Sequence, residues 1–207
     1  MLDILKSGGW MMLPIIGCSI LALAIIVERL WTLRRRRILP PETLPQVWAL
    51  YRKGQLDSLQ LRNLNMSSPL GAILASAIAS FADGREAMKE AVEQTGRQVA
   101  HGLERYLNTL GTIAAISPYL GLLGSVLGMI KVFSTFSAAG GIGNPTRLAG
   151  GISEILVATA AGLAVAIPSL IFHRYFQGRV HELTLQMEEE AVRLIDVLHS
   201  SREEDDL

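Results

Sequence analysis

Three long stretches of this chain carry no charged residue, and this feature constrains its fold more than any other. They run over residues 7–27, 106–130 and 155–172. A helix needs about 20 apolar residues to cross a hydrocarbon core about 30 Å thick, so each stretch is long enough or nearly so. None shows the alternation of barrel strands, and helices satisfy all their backbone hydrogen bonds internally in lipid. The sequence therefore predicts an all-α membrane protein with three transmembrane helices.

The basic residues that flank these stretches predict their orientation. Arg29 and Arg34–Arg37 follow the first stretch, whereas the short turn after the second span, residues 138–149, contains only Arg147. Arg174 and Arg179 follow the third stretch. Because basic residues accumulate on the cytoplasmic side, we expect the N-terminus outside and the C-terminus inside. Arginines placed after the first apolar run also argue against a cleaved signal peptide.

A fourth uncharged stretch, residues 63–82, is the rival to this topology. Its first part is polar and contains a proline, which leaves only residues 70–82 as an apolar segment. That length is typical of a packed or interfacial helix rather than a span. A fourth span would also place Lys89, Arg97 and Arg105 outside, against the charge bias. Three spans are therefore the better prediction.

Two further regions have the apolar periodicity of amphipathic helices. One carries Met88, Val92, Thr95, Val99, Leu103, Tyr106 and Leu110, and the other carries Val180, Leu183, Met187, Ala191, Leu194 and Leu198. Because neither Gly nor Pro separates Leu103 from Leu110, we expect one uninterrupted helix to run from the first region into the second span. The two apolar stripes could pack on each other within one subunit or on neighbouring subunits. Upstream, Asp57 and Ser68-Pro69 predict two helix starts.

The second and third spans face each other across a short turn near Ile142. In an antiparallel hairpin centred there, residues whose numbers add to about 284 lie at equal depth. This register places Ser125 level with Thr159 and Lys131 level with Glu154. An unpaired intramembrane charge costs about 2.5–3.5 kcal/mol or more, so Lys131 and Glu154 are predicted to pair. In the alternative, Lys131 extends to the outer headgroups and Glu154 lines a polar lumen.

Small residues recur on the same two spans. Glycines and alanines at helical spacing allow helices to approach closely in lipid, where packing drives association. We assign these positions to packing rather than to contact with an ion. The residues assigned to packing are Pro118, Gly121, Gly124, Gly128, Gly162 and Pro168.

Two runs of the sequence carry a resemblance to a known family. The run LERYLNTLGTIAAISPYLGLLGSVLGMIKVF, which begins at Leu103, resembles the second-span signature of the MotA/TolQ/ExbB proton-channel family. The run GGISEILVATAAGLAVAIPSLIF, Gly150–Phe172, resembles its third-span signature. The resemblance covers roughly residues 70–180. Three spans and a short chain resemble the TolQ/ExbB branch, since members of the MotA branch typically have four spans.

The resemblance implies a homopentamer in the inner membrane of a Gram-negative bacterium. It implies that the chain is a channel and motor subunit with two partners. One is a single-span ExbD/TolR-like protein with an intramembrane Asp, and the other is a TonB- or TolA-like protein that the motor energises. Ser125 and Thr159 match positions that line the family's ion path, although Ser125 replaces the usual Thr. Glu154 matches an acidic position, and Lys131 is a departure from the family pattern.

The spans themselves lack a carboxylate near Ser125 and Thr159. Hydroxyls can relay or coordinate a cation but titrate too weakly to load and release protons. A proton-driven unit would therefore need the partner's Asp. A passive membrane scaffold and a small transporter remain alternatives from other classes. An enzyme is not expected, because the histidines lack metal-ligand spacing, Cys18 is intramembrane and no phosphate-binding loop occurs; we expect no cofactor, metal or nucleic acid.

These observations divide the chain into seven segments. We expect a periplasmic N-terminus over residues 1–9, spans over 10–31, 109–137 and 150–173, a cytoplasmic helical loop over 32–108, a short periplasmic loop over 138–149, and a cytoplasmic helix with an acidic tail over 174–207.

Overall fold

A computed structural model describes residues 10–52, 57–138 and 145–205, and the regular structure in these ranges is entirely helical. The helices are α1 (Met12–Thr32), α2 (Arg35–Ile38), α3 (Thr43–Arg52), α4 (Ser58–Ser67), α5 (Pro69–Ala79), α6 (Arg85–Leu103), α7 (Leu107–Ala138) and α8 (Pro145–Asp205). A 3-10 turn, Phe81–Asp83, separates α5 from α6. The all-α fold class is confirmed for the described residues.

Three helices in the described part of the chain are long and apolar enough to cross a membrane. The segments are Met12–Thr32, Leu107–Ser137 and Ala149–Leu198. The rival fourth segment forms α5, which has only 11 residues and buries most of them. The length and burial of α5 are those of a packed helix, so the structure is consistent with the prediction of three spans.

The two helix starts predicted between the first two spans are also observed. The Asp57 carboxylate accepts the Ser58 N–H at 2.7 Å at the start of α4. The Ser68 hydroxyl accepts the Gly71 N–H at 3.0 Å, and Pro69 occupies the first position of α5. These caps satisfy N–H groups that a helix start leaves without an internal partner.

The described residues form two compact units. The first unit comprises residues 10–28 with 106–138 and 145–175, and the second comprises 29–52 and 57–105 with 176–205. The first unit contains the hairpin of α7 with the first half of α8, together with most of α1. The second unit contains the short helices α2–α6 and the remainder of α8.

The core of the second unit contains the apolar stripe predicted for the C-terminal helix. All six residues of that stripe, Val180, Leu183, Met187, Ala191, Leu194 and Leu198, are buried within the single chain. Met88 and Val92 of α6 are buried as well, and Arg85 pairs with Asp196 of α8 at 2.6 Å. The stripe on α8 is therefore covered inside one subunit, which decides between the two packing alternatives.

The prediction of one uninterrupted helix from residue 85 into the second span is wrong. Helix α6 ends at Leu103, three residues form a turn, and α7 begins at Leu107. The Glu104 N–H bonds to the carbonyls of Ala100 and Gly102, and Tyr106 has a φ of 64°. A left-handed residue ends the run of i to i−4 hydrogen bonds, and non-glycine residues adopt it rarely. Neither Gly nor Pro occurs among residues 103–110, so no residue pattern marks this turn.

Candidate functional site

The predicted register of the α7/α8 hairpin is confirmed over its described length. The Ser125 hydroxyl is hydrogen-bonded to the Thr159 hydroxyl. Toward the turn, the Lys131 ammonium lies 3.7 Å from the Glu154 carboxylate. At the other end, the Cα of Gly111 faces the His173 ring so closely that a Cβ there would lie 2.9 Å from Cε1.

Three oxygens converge where the hydroxyl pair bridges the two helices. Ser125 Oγ and Thr159 Oγ1 contact each other, and both lie within bonding distance of the Ile155 carbonyl, at 3.1 and 3.3 Å. Ser125 Oγ is also 3.1 Å from the Gly121 carbonyl of its own helix. Both hydroxyls are only partly buried. The result is a compact oxygen cluster, formed by Ser125, Thr159 and the Ile155 carbonyl, that joins α7 to α8.

The chemistry of this oxygen cluster follows from its proton count. Two hydroxyl protons serve at least three acceptors, so each proton can be redirected among neighbouring oxygens by rotation of a C–O bond. Each hydroxyl also reaches a carbonyl four residues earlier on its own helix, a common arrangement for Ser and Thr in membrane helices. The cluster can thus pass a proton or contribute oxygen ligands to a cation, while it also holds the two helices together.

Glycines bring the two helices close enough for this contact. A Cβ on Gly162 would lie 2.6 Å from the Ser117 carbonyl, and one on Gly121 would lie 2.9 Å from the Ala158 carbonyl. Both distances are shorter than real Cβ contacts, so only glycine fits at these two positions. Farther along α7, a Cβ on Gly124 would meet Ala158 of α8 and Met11, and one on Gly128 would meet Ile155.

The two prolines assigned to packing lie inside helices. Pro118 is half-buried in α7, and Pro168 is exposed in α8. Pro168 lines a cavity of about 200 Å³ together with Ser19 of α1 and Ser169 of α8. Each proline leaves the carbonyl four residues earlier without its usual N–H partner.

Lys131 and Glu154 form the charged end of the hairpin. At 3.7 Å their contact is long for an ion pair, and the two side chains are 74% and 27% exposed. The geometry brings the predicted partners together, while the high exposure of Lys131 also leaves its ammonium able to contact lipid headgroups near the turn.

An apolar groove opens beside the oxygen cluster. It has a volume of about 470 Å³ and is lined by Ser125, Val126, Met129, Ile130, Phe133 and Ile155. Three of the lining residues on α7, Val126, Ile130 and Phe133, are about half exposed or more. The Ser125 hydroxyl is thus the polar edge of a surface that another apolar helix could cover.

No group of three or more metal-binding side chains occurs among residues 10–52, 57–138 and 145–205. Within residues 107–175 of the sequence, Glu154 is the single Asp or Glu. It lies five residues from Thr159 along α8, and its contact is with Lys131 rather than with the hydroxyls. The oxygen cluster therefore has no acidic side chain of its own.

Sequence reasoning missed the carbonyl of Ile155 and the contact of Gly111 with His173. The sequence contains a signal for each of these two contacts. Ile155 lies four residues before Thr159, the distance at which a helical hydroxyl meets its own carbonyl. Extending the register to the end of the hairpin away from the turn pairs residue 111 with residue 173.

Comparison with known proteins places these features in context. Residues 65–189 match the MotA/TolQ/ExbB proton channel family. The chain is 31% identical over 173 residues to the putative biopolymer transport protein ExbB-like 3 of Synechocystis sp., covering 83% of this chain and 82% of the relative. It is 38% identical over 91 residues to the biopolymer transport protein ExbB of Aquifex aeolicus, covering 44% and 61%. It is also 38% identical over 81 residues to the Tol-Pal system protein TolQ of Haemophilus influenzae, covering 39% and 35%.

Proposed function

Because this chain belongs to the MotA/TolQ/ExbB proton channel family, on its ExbB/TolQ branch, we propose that it is the channel-forming subunit of a motor in the bacterial inner membrane. The motor uses the proton motive force to energise a TonB- or TolA-like protein for outer-membrane transport or envelope maintenance. In this proposal the N-terminus lies outside, the C-terminus lies inside, and the subunits form a pentamer. The observation that carries the proposal is the hydroxyl pair of Ser125 and Thr159, which joins two membrane-spanning helices at one depth.

The hydroxyl pair acts as a relay in the ion path. A proton that arrives at one hydroxyl oxygen is matched by the release of a proton toward the other, since each hydroxyl both donates and accepts. Ile155 supplies a third oxygen that holds the two hydroxyls in place at 3.1 and 3.3 Å. The relay cannot store a proton, because neither hydroxyl titrates in the accessible range.

A carboxylate from the partner completes the path. The apolar groove beside Ser125 has the dimensions and character for part of a single membrane-spanning helix to rest on it. A helix seated there would bring a mid-span Asp next to the oxygen cluster, where the chain lacks an acidic group. The carboxylate loads a proton from outside, and contact with the hydroxyls releases it inward.

The energy released by each transfer is enough to drive a mechanical step. One charge that crosses 100 mV releases about 2.3 kcal/mol. Successive transfers in five subunits around a shared partner would favour stepwise rotation, because only one or two subunits can face the partner's carboxylate at once. The partner would then pass this motion to the TonB- or TolA-like protein.

Removal of the hydroxyls tests the proposal. We expect Ser125→Ala and Thr159→Val, made in the complex with the native ExbD/TolR-like partner, to lower proton flux in proteoliposomes at least about tenfold while assembly is retained, consistent with losing one acid–base element. Ser169→Ala is the matched control, since its hydroxyl is buried but bonds only to its own helix at Val165. Wild-type flux in both hydroxyl variants would contradict the relay and favour a passive membrane scaffold.

A further inference from the structure

Four consecutive arginines, Arg34–Arg37, follow the end of α1 after one residue. We call them the arginine patch. All four are exposed. The whole chain has as many acidic as basic residues, 19 of each, so the patch is a local excess of charge rather than a property of the composition.

The backbone that carries the arginine patch is fixed on both sides. Leu33 and Ile38 are buried, with 4% and 1% exposure, and the Arg37 N–H bonds to the Arg34 carbonyl at 2.9 Å. The Leu39 N–H bonds to the Arg35 carbonyl at 2.8 Å and closes the short helix α2. Four long cationic side chains therefore project from a short, anchored turn.

The position of one arginine links the patch to the membrane surface. The Arg37 guanidinium lies 3.8 Å from the centre of the Trp31 ring, a cation–π contact. Trp31 is 56% exposed in the last turn of α1, and Trp at the end of a spanning helix favours the headgroup region. A guanidinium held beside Trp31 is therefore expected at the depth of the lipid headgroups.

The charge of the patch is not neutralised by the protein in the described ranges. Arg85, Arg97, Arg179 and Arg193 all form ion pairs with carboxylates, whereas none of Arg34–Arg37 does so with a described residue. Arg29 differs from the patch, because it is buried and donates to the Leu103 carbonyl at 3.0 Å. Arg29 is thus structural, and the four that follow it are available to a ligand.

From these observations we propose that the arginine patch is a binding site for the phosphate headgroups of anionic phospholipids in the leaflet that contacts the C-terminal end of α1. Planar guanidinium groups bind phosphate oxygens through two parallel hydrogen bonds, and four of them on one turn can hold one doubly charged or two singly charged headgroups. Clusters of four or more basic residues beside a spanning helix attract anionic lipid in this way. The site stands independently of the proposed ion path.

Trp31 offers a direct reporter for this site. The full-length chain with Trp10→Phe and Trp48→Phe, reconstituted in vesicles, has Trp31 as its one tryptophan. Quenching of its fluorescence is compared between phosphatidylglycerol and phosphatidylcholine that carry brominated chains. We expect stronger quenching by the anionic lipid. Raising NaCl from about 50 mM to about 500 mM, which shortens the Debye length, should weaken this preference.

Replacement of the arginines gives the second arm of the test. Arg34→Gln, Arg35→Gln and Arg36→Gln together should reduce the preference about 100-fold, at about fivefold per arginine. Arg37 is kept so that the surroundings of Trp31 do not change. The matched control is the triple replacement of Arg85, Arg97 and Arg193 by Gln, which should leave the preference intact.

Two outcomes would overturn the proposal. Equal quenching of wild-type Trp31 by both lipids at low salt would show that the patch does not select anionic lipid, and this result does not depend on whether the triple variant inserts correctly. Loss of the preference on addition of inorganic phosphate at constant ionic strength would show that the patch binds soluble phosphate anions rather than headgroups.

Discussion

At the level of single residues, the two helices of the hairpin are joined by a hydroxyl contact and by close approaches at glycines, and the two kinds of contact require different side chains. The hydroxyl contact of Ser125 with Thr159 needs specific oxygens, whereas the glycine contacts need only the absence of a Cβ. The family resemblance led us to expect Thr at position 125, and Ser125 lacks the methyl group of that residue. Its hydroxyl still reaches both Thr159 and the Ile155 carbonyl. A serine hydroxyl at position 125 is therefore sufficient for both contacts, without the methyl group of a threonine.

The pair formed by Lys131 and Glu154 can be tested by reversing its charges. We expect Lys131→Glu or Glu154→Lys alone to lower ion flux, because each creates two like charges at the turn end of the hairpin. The double swap should recover part of the loss, of the order of a few-fold, as expected for an exposed pair worth at most about 1 kcal/mol. Flux is measured in proteoliposomes with the native partner. A double variant no better than the worse single variant would show that the two charges act separately.

A second prediction concerns the closest approach of the hairpin helices. Gly162→Ala should destabilise the protein by about 1–3 kcal/mol, because the added methyl would lie 2.6 Å from the Ser117 carbonyl and force the helices apart. Gly178→Ala is the control on the same helix α8, where a Cβ meets nothing within 4 Å. That change should stabilise the helix by about 0.5–1 kcal/mol. Thermal unfolding in detergent, followed by circular dichroism, should move in opposite directions for the two variants.

At the level of helices, the break between α6 and α7 shows where sequence reasoning stops. The three long apolar helices and the hairpin register follow from uncharged length and from antiparallel geometry, and the structure contains both. The caps at Asp57 and Ser68 follow from local chemistry in the same way. The turn at Glu104–Tyr106 does not, since its residues are ordinary helix residues. The left-handed conformation of Tyr106 therefore has no local signal in the sequence.

The backbone at Tyr106 can be tested with two replacements that both remove the ring. Asn tolerates the left-handed conformation, whereas a β-branched residue does not. We therefore expect Tyr106→Val to be less stable than Tyr106→Asn by about 1–2 kcal/mol. Apparent melting temperatures of the two purified variants in the same detergent provide the measurement. Equal melting temperatures would mean that residue 106 carries no left-handed strain.

At the level of the whole molecule, charged and uncharged parts of the chain are separated. Among the described residues, the hairpin of the first unit carries few ionisable groups and its oxygen cluster has no acidic hydrogen-bond partner, whereas the second unit holds most of the ion pairs. In the proposed ion path, the two hydroxyls of this cluster relay a proton but do not store one. The proposed activity is therefore a property of a complex rather than of this chain.

Because the hairpin has no carboxylate beside its oxygen cluster, we expect proton flux to depend on the partner. Proteoliposomes that contain this chain alone should show little proton flux above empty vesicles under an imposed potential of about 100 mV, because hydroxyls lack the pKa to load a proton. Addition of the native single-span partner should produce flux, and replacement of the partner's intramembrane Asp by Asn should remove it again. Co-purification of the Asn form with this chain controls for assembly. Substantial flux through the chain alone, abolished by Thr159→Val, would mean that the oxygen cluster conducts without a partner carboxylate. That result would contradict an ion path that the partner's Asp completes.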